Sequence, residues 1–159
     1  MIRRDSARVI AIDERGHVLL FRAEDKLDNK PPCWITPGGG IEAGEDVHAA
    51  ACREWWEECG QRVTPGELIG PVAVTEGEWE FRGEALYSVD TYFFLRVPTF
   101  EPESNNLDLI EVDIMGEHRW FHPDELEAWD ELVIPAELAQ LVRDLHTGGD
   151  FIDPRQLPW

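Results

Sequence analysis

Three glutamates, Glu54, Glu57 and Glu58, stand close together near the end of a stretch running from Gly39 to Gly60. If Asp46 to Cys59 is helical, they fall at i, i+3 and i+4 and leave one face of the helix within a turn. Like charges at that spacing repel, so a helix that keeps them needs a positive partner. All the donors are carboxylate oxygens, which suits Mg²⁺ or Mn²⁺ better than a thiolate-loving metal. Arg53 cannot ligate a metal, but its planar fork can hold neighbouring carboxylates in place.

The elements that must position these side chains are legible on either side. Pro37-Gly38-Gly39-Gly40 is too glycine-rich for a regular element and predicts a tight loop whose backbone can lie against a ligand. Gly44-Glu45-Asp46 is expected to start the helix with acidic residues in its first turn, where the macrodipole favours them. Val47, Ala50, Ala51 and Trp55 form an apolar face, and Gly60 reads as the residue that ends the helix. One face should pack while the other displays carboxylates.

The full pattern, Gly39-x5-Glu45-x7-Arg53-Glu54-Trp55-x-Glu57-Glu58-x-Gly60, resembles the box of the Nudix (MutT-like) hydrolases at every charged and glycine position. Gln61 departs from it, standing where a bulky aliphatic residue is usual, and Trp55 is bulkier than usual at its slot; both are packing positions. An ordinary solvated acidic helix after a glycine turn is the competing reading, and three clustered glutamates alone would favour it. The register of Gly38 to Gly40, Glu45, Arg53 and Gly60 with the box argues against it.

The resemblance implies metal-assisted attack of water on a phosphorus of a nucleoside diphosphate linked to another moiety. It implies catalytic and metal-ligand roles for Glu54, Glu57 and Glu58, with Mg²⁺ (or Mn²⁺) as cofactor and Arg53 orienting the carboxylates. Glu45 would tie the loop to the helix start, and Gly39 and Gly40 would bring backbone amides to the substrate phosphates. In several members the base is a glutamate outside the box. Glu117 and Glu111 are the candidates here, Glu117 being nearer Arg119-Trp120, and each also reads as a solvated surface carboxylate. Arg22, at a strand end, is a candidate for a substrate phosphate and equally an ordinary surface arginine. His118 and His122 carry no stronger claim.

The chain has 159 residues, enough for one domain over 1–159 with its own core, and 14 Lys and Arg against 33 Asp and Glu give a net charge of −19. Such a surface repels nucleic-acid polymers and anionic membranes, so the expected partner is a small nucleotide pyrophosphate drawn in by a divalent cation. The three cysteines, Cys33, Cys52 and Cys59, form neither a zinc pattern nor a disulfide framework. No apolar leader or membrane-length run is present, and the expectation is a cytoplasmic protein.

Residues 7–13 and 17–22 predict a hairpin, 34–36 a short strand, 68–79 a strand interrupted at Gly77, and 85–97 its antiparallel partner. Residues 107–116 continue into a strand at 117–121, and Pro135 to His146 predicts the second long helix. The resulting order resembles the Nudix fold: α/β, an α/β/α sandwich with a mixed β-sheet between helices, with the box at 39–61 and a tail at 150–159. Trp34, Trp79 and Trp120 read as core residues before base-stacking ones, and Trp159 as cover for an apolar patch or an interface; the resemblance makes a homodimer one such interface. Gly77, Glu78 and Trp79 do not carry the residues typical of ADP-ribose or dinucleoside polyphosphate hydrolases. What remains is a (d)NTP or oxidised (d)NTP pyrophosphohydrolase; the alternatives are an ADP-ribose or other nucleotide-sugar pyrophosphatase, or an inactive nucleotide-binding regulator. An isopentenyl diphosphate isomerase shares the fold, but the intact box favours hydrolysis.

Overall fold

The computed structural model describes residues 1–104, 114–149 and 153–159. Its centre is β1 (Ile2–Ile12), which pairs in parallel with β6 (Glu84–Arg96) from Ile2↔Leu86 to Ile12↔Arg96. Around the turn at Asp13 the chain returns as β2 (Val18–Ala23), antiparallel to β1. Asp13 accepts bonds from the backbone N–H groups of Arg15 and His17, both at 2.9 Å. The remaining strands are β3 (Cys33–Ile35), β4 (Gly38–Gly40), β5 (Ile69–Phe81), β7 (Met115–Phe121), β8 (Leu132–Ile134) and β9 (Arg155–Gln156). They form one mixed sheet in the order β8-β3-β2-β1-β6-β5-β9, with β4 added to β1 and β7 to β2.

Alternation along β1 serves both faces. Ala7, Val9 and Ala11 pack with Ala50, Ala51 and Trp55 of helix α1 (Val47–Cys59). Ile10 and Ile12 pack with Leu138, Leu141, Val142 and Leu145 of α3 (Leu138–His146), beside the short α2 (Pro123–Glu127). A strand buried on both faces reads as a nearly continuous apolar run. Helices on either side of a mixed sheet are the sandwich expected from the sequence.

Several local expectations are corrected. Gly38 to Gly40 is a strand, not a loop: it pairs with Ser6, Ala7 and Arg8 of β1. The approach is so close that a Cβ on Gly38 would lie 2.3 Å from the Ala7 carbonyl oxygen, and Gly38 has φ +146°. Only glycine fits both conditions. Helix α1 has no acid in its first turn; Asp46 instead caps it, accepting from the Ala49 N–H at 2.8 Å. That bond satisfies an end N–H directly. Gly60 ends the helix at φ +75°, as anticipated.

Gly77 does not interrupt β5, which runs unbroken to a two-residue turn at Arg82 and Gly83, both with positive φ. The second long helix begins at Leu138, not Pro135: the chain leaves β8 at Ile134 and Glu137, with φ +65°, is not helical. The tail supplies β9, parallel to β5. Most of the predicted 107–116 segment lies outside the described residues. Among those described, no helix is long and apolar enough to cross a membrane.

Candidate active site

Arg53 is the hub of the charged helix face. Its Nη1 donates to Glu54 Oε1 at 2.9 Å and to Glu57 Oε2 at 3.3 Å. Nη2 donates to the Gly40 carbonyl at 2.9 Å and to Glu45 Oε1 at 2.7 Å, while Nε reaches Glu45 Oε2 at 3.1 Å. The guanidinium thus holds two helix glutamates, the glycine strand and the residue before the helix in one network. Glu45 is held below its usual carboxylate range, chiefly by the Arg53 hydrogen bond.

The carboxylate face is not the open surface that the pattern suggested. Glu54 and Glu58 are each only 3% exposed, because β4 lies directly against the helix. Glu58 Oε2 accepts from the Gly38 N–H at 3.0 Å. Glu54 is pushed up by burial, which outweighs the opposing pull of Arg53. Its Oε2 is buried with no hydrogen-bond partner among the described residues. A buried carboxylate oxygen left unsatisfied is costly, and it sits here among further negative groups.

That oxygen is what a hard cation would satisfy, and the all-oxygen donors of Glu54, Glu57 and Glu58 suit Mg²⁺ or Mn²⁺. As they stand, no three acidic, histidine or cysteine side chains among the described residues are gathered closely enough to hold a metal. Arg53 Nη1 bridges Glu54 and Glu57 instead.

The other residues singled out from the sequence lie elsewhere. Arg22 is engaged by Glu131, with Nε at 3.1 Å from Oε1 and Nη2 at 2.8 Å from Oε2, and by Glu24 at 2.9 Å. It is not joined to the glutamate network. Glu117 is exposed on β7, where the pairing with β2 shifts register between Phe21 and Ala23. Glu111 lies outside the described residues. His118 contacts Glu101 at 3.0 Å, and His122 caps α2 through Nδ1. Trp34 is core, its indole N–H donating to Glu131. Trp120 packs against the α1-side core and donates to the Phe100 carbonyl. The three thiols are raised by burial and free of disulfides.

Sequence reasoning missed Arg8. Its Nε donates to Asp90 at 3.2 Å and its Nη1 to the Thr36 carbonyl at 3.1 Å, with the Gly38 carbonyl at 3.5 Å. Burial disfavours its charge, yet Asp90, Tyr92 and Glu58 together hold it firmly protonated. A charged residue inside an otherwise apolar strand was the available signal.

Comparison with known proteins extends over this same frame. The NUDIX domain family model matches residues 2–145. The nucleoside triphosphatase NudI of Salmonella agona is 28% identical over 126 residues, covering 75% of this chain and 82% of that protein. The RNA pyrophosphohydrolase of Roseobacter denitrificans is 44% identical over 71 residues, 45% of this chain and 40% of that one. A NUDIX-family hydrolase from Clostridium perfringens shares the fold at TM-score 0.66 and 20% identity, covering 92% of this chain and 99% of its own.

Proposed function

Since this chain belongs to the NUDIX domain family and is a pyrophosphohydrolase, we propose that it hydrolyses a (d)NTP or an oxidised (d)NTP with the help of Mg²⁺ or Mn²⁺. The observation that carries the reading is the buried Glu54 Oε2, unpartnered among the described residues and held beside Glu57 by Arg53 and against the backbone of Gly39. The similarity to a nucleoside triphosphatase over three quarters of the chain supports the substrate class.

Glu54, Glu57 and Glu58 would hold the ion. Bound there, it would neutralise pyrophosphate oxygens and lower the pKa of a water. The residues of the chain do the rest. Arg53 keeps Glu45 and Gly40 through Nε and Nη2, and of its own bonds those of Nη1 would yield for Glu54 and Glu57 to turn toward a cation. Glu54, held by Arg53 against Gly39, would also take a proton from the attacking water. The new phosphorus–oxygen bond forms as the bridging one breaks, releasing two phosphate-bearing products. With a net charge of −19 the protein repels its own substrate unless a cation is present.

The test is a panel of canonical and oxidised nucleoside triphosphates, ADP-ribose, nucleotide sugars and dinucleoside polyphosphates, with Mg²⁺ or Mn²⁺ and a phosphate or pyrophosphate readout. Cleavage of the triphosphates, with Glu57→Gln slower by orders of magnitude, is the expected result. Turnover independent of divalent metal, or a Glu57→Gln variant at near-normal rate, would sink the assignment.

A further inference from the structure

The sheet face away from α1 is divided along its length. Under α3 it is apolar, with Ile10, Tyr92 and Phe94 in the core. Further along the same strands the registers Thr75↔Asp90 and Gly77↔Ser88 place polar or bare positions side by side. Thr75, Ser88 and Asp90 are 2%, 3% and 6% exposed, yet they contribute no apolar packing. Asp90 takes the Arg8 guanidinium, and Ser88 accepts from the Trp79 indole N–H at 2.6 Å. The hydroxyls of Thr75 and Tyr92 are buried and interact with each other. A run of buried polar groups sets this part of the face apart from the apolar core under α3.

The segment from Arg155 to Trp159 runs along this part of the sheet. Leu157 donates its N–H to the Val74 carbonyl at 3.0 Å and enters the α3-side core. Two residues on, Trp159 lies on Gly77, where a Cβ would be 2.1 Å from its Cγ. The indole rests on bare backbone, and Trp159 is still 51% exposed. One ring face is seated on the strand while much of the residue stays open to solvent.

The strip is also wired to the glutamates. Asp90 holds Arg8, Arg8 Nη1 reaches the Gly38 carbonyl, and the Gly38 N–H is bound by Glu58. In β4, Gly39 faces Glu54 while Gly38 lies against Arg8, so the glycine strand is a wall common to both.

We propose that Trp159, seated on Gly77 above Thr75, Ser88 and Asp90, is the stacking platform for the nucleoside end of the substrate, whose phosphates lie toward the glycine strand. This rests on the nucleotide reading above. A heteroaromatic ring stacks on an indole regardless of its identity, and the indole face turned away from Gly77 is the one left to receive it.

The test is equilibrium binding, with Mg²⁺, of nucleoside triphosphate analogues carrying methylene groups in place of both bridging oxygens, and of tripolyphosphate, which has no nucleoside. Trp159→Ala and Gly77→Ala should each weaken the analogues about tenfold and leave tripolyphosphate unchanged, and Trp159→Phe should recover most of the loss. Wild-type affinity in Trp159→Ala, equal losses for tripolyphosphate, or tighter binding, as a displaced plug would give, overturns the inference. So does a wild-type chain that binds none of the analogues. Hydrolysis of the substrate panel separates the two readings. A protein that binds analogues through Trp159 but cleaves nothing loses the hydrolase reading and keeps the platform, while one whose KM ignores Trp159→Ala loses the platform alone.

Discussion

Gly39 and Glu54 are in such close contact that a Cβ on the glycine would stand 2.5 Å from Glu54 Oε1 and 2.7 Å from Cδ. Pairing of Gly39 with Ala7 pins the strand, and Arg53 pins the carboxylate. Backbone and side chain therefore fix one another's position, with no room for even a methyl group between them.

Gly39→Ala should displace the Glu54 carboxylate and lower kcat by about two orders of magnitude, since misplacing a reacting group by an ångström costs that much. The fold should survive, with a stability loss of about 1–3 kcal/mol from overpacking. Steady-state kinetics and thermal melts on the same sample decide it; an alanine variant at wild-type kcat would mean the contact does not set the carboxylate.

Arg53→Lys should lower kcat/KM or Mn²⁺ affinity by roughly 10- to 100-fold, the usual effect of removing a group that orients metal ligands. A lysine ammonium has three donors on one atom and cannot span Glu45, Glu54, Glu57 and the Gly40 carbonyl as the guanidinium does. Mn²⁺ titration followed by electron paramagnetic resonance reads this directly. Unchanged affinity together with unchanged turnover would show the network to be dispensable.

Arg22→Ala should leave KM within about twofold and lower the melting temperature slightly, because its guanidinium is engaged with Glu131 and Glu24. A tenfold rise in KM with an unchanged melting temperature would instead restore Arg22 to the phosphate role suggested by its strand-end position.

Asp13 predicts an acid-side effect. Burial of its carboxylate works against ionisation, but hydrogen bonds from the Thr99 hydroxyl, the His17 and Arg15 backbone N–H groups and the Arg15 guanidinium outweigh it, holding the group below its ordinary value of 3.8. A carboxylate with a depressed folded-state pKa stabilises fully above the unfolded value, and that stability is lost as pH falls through the folded one. Asp13→Ala should therefore cost about 1–3 kcal/mol at pH 7. The gap from wild type should shrink below about pH 4 in urea unfolding series. A gap that stays constant down to pH 2 would remove the ionised carboxylate as its cause.

Much of the frame around the glutamates was legible beforehand. The helix expected from Asp46 to Cys59 spans Val47–Cys59, capped by Asp46 and ended by Gly60. The core residues of α3 were marked by their spacing at Leu138, Leu141, Val142 and Leu145. What escaped were pieces too short to carry a period. β4, β8 and β9 have two or three residues each and exist because a distant strand pairs with them. Gly77 read as a break in β5, whereas in the folded chain it is the seat of Trp159.

The sequence by itself determined where the helix begins and ends and that three carboxylates leave one face of it, because capping and the i, i+3, i+4 relation depend only on residues within about a turn of each other. Tertiary structure decided which of those carboxylates are buried, which oxygen is left without a partner, and that Arg22 is held by Glu131, 109 residues away. Those outcomes follow from which strands pair and which face each side chain then meets, and contacts across such separations leave no repeat in the local sequence to read.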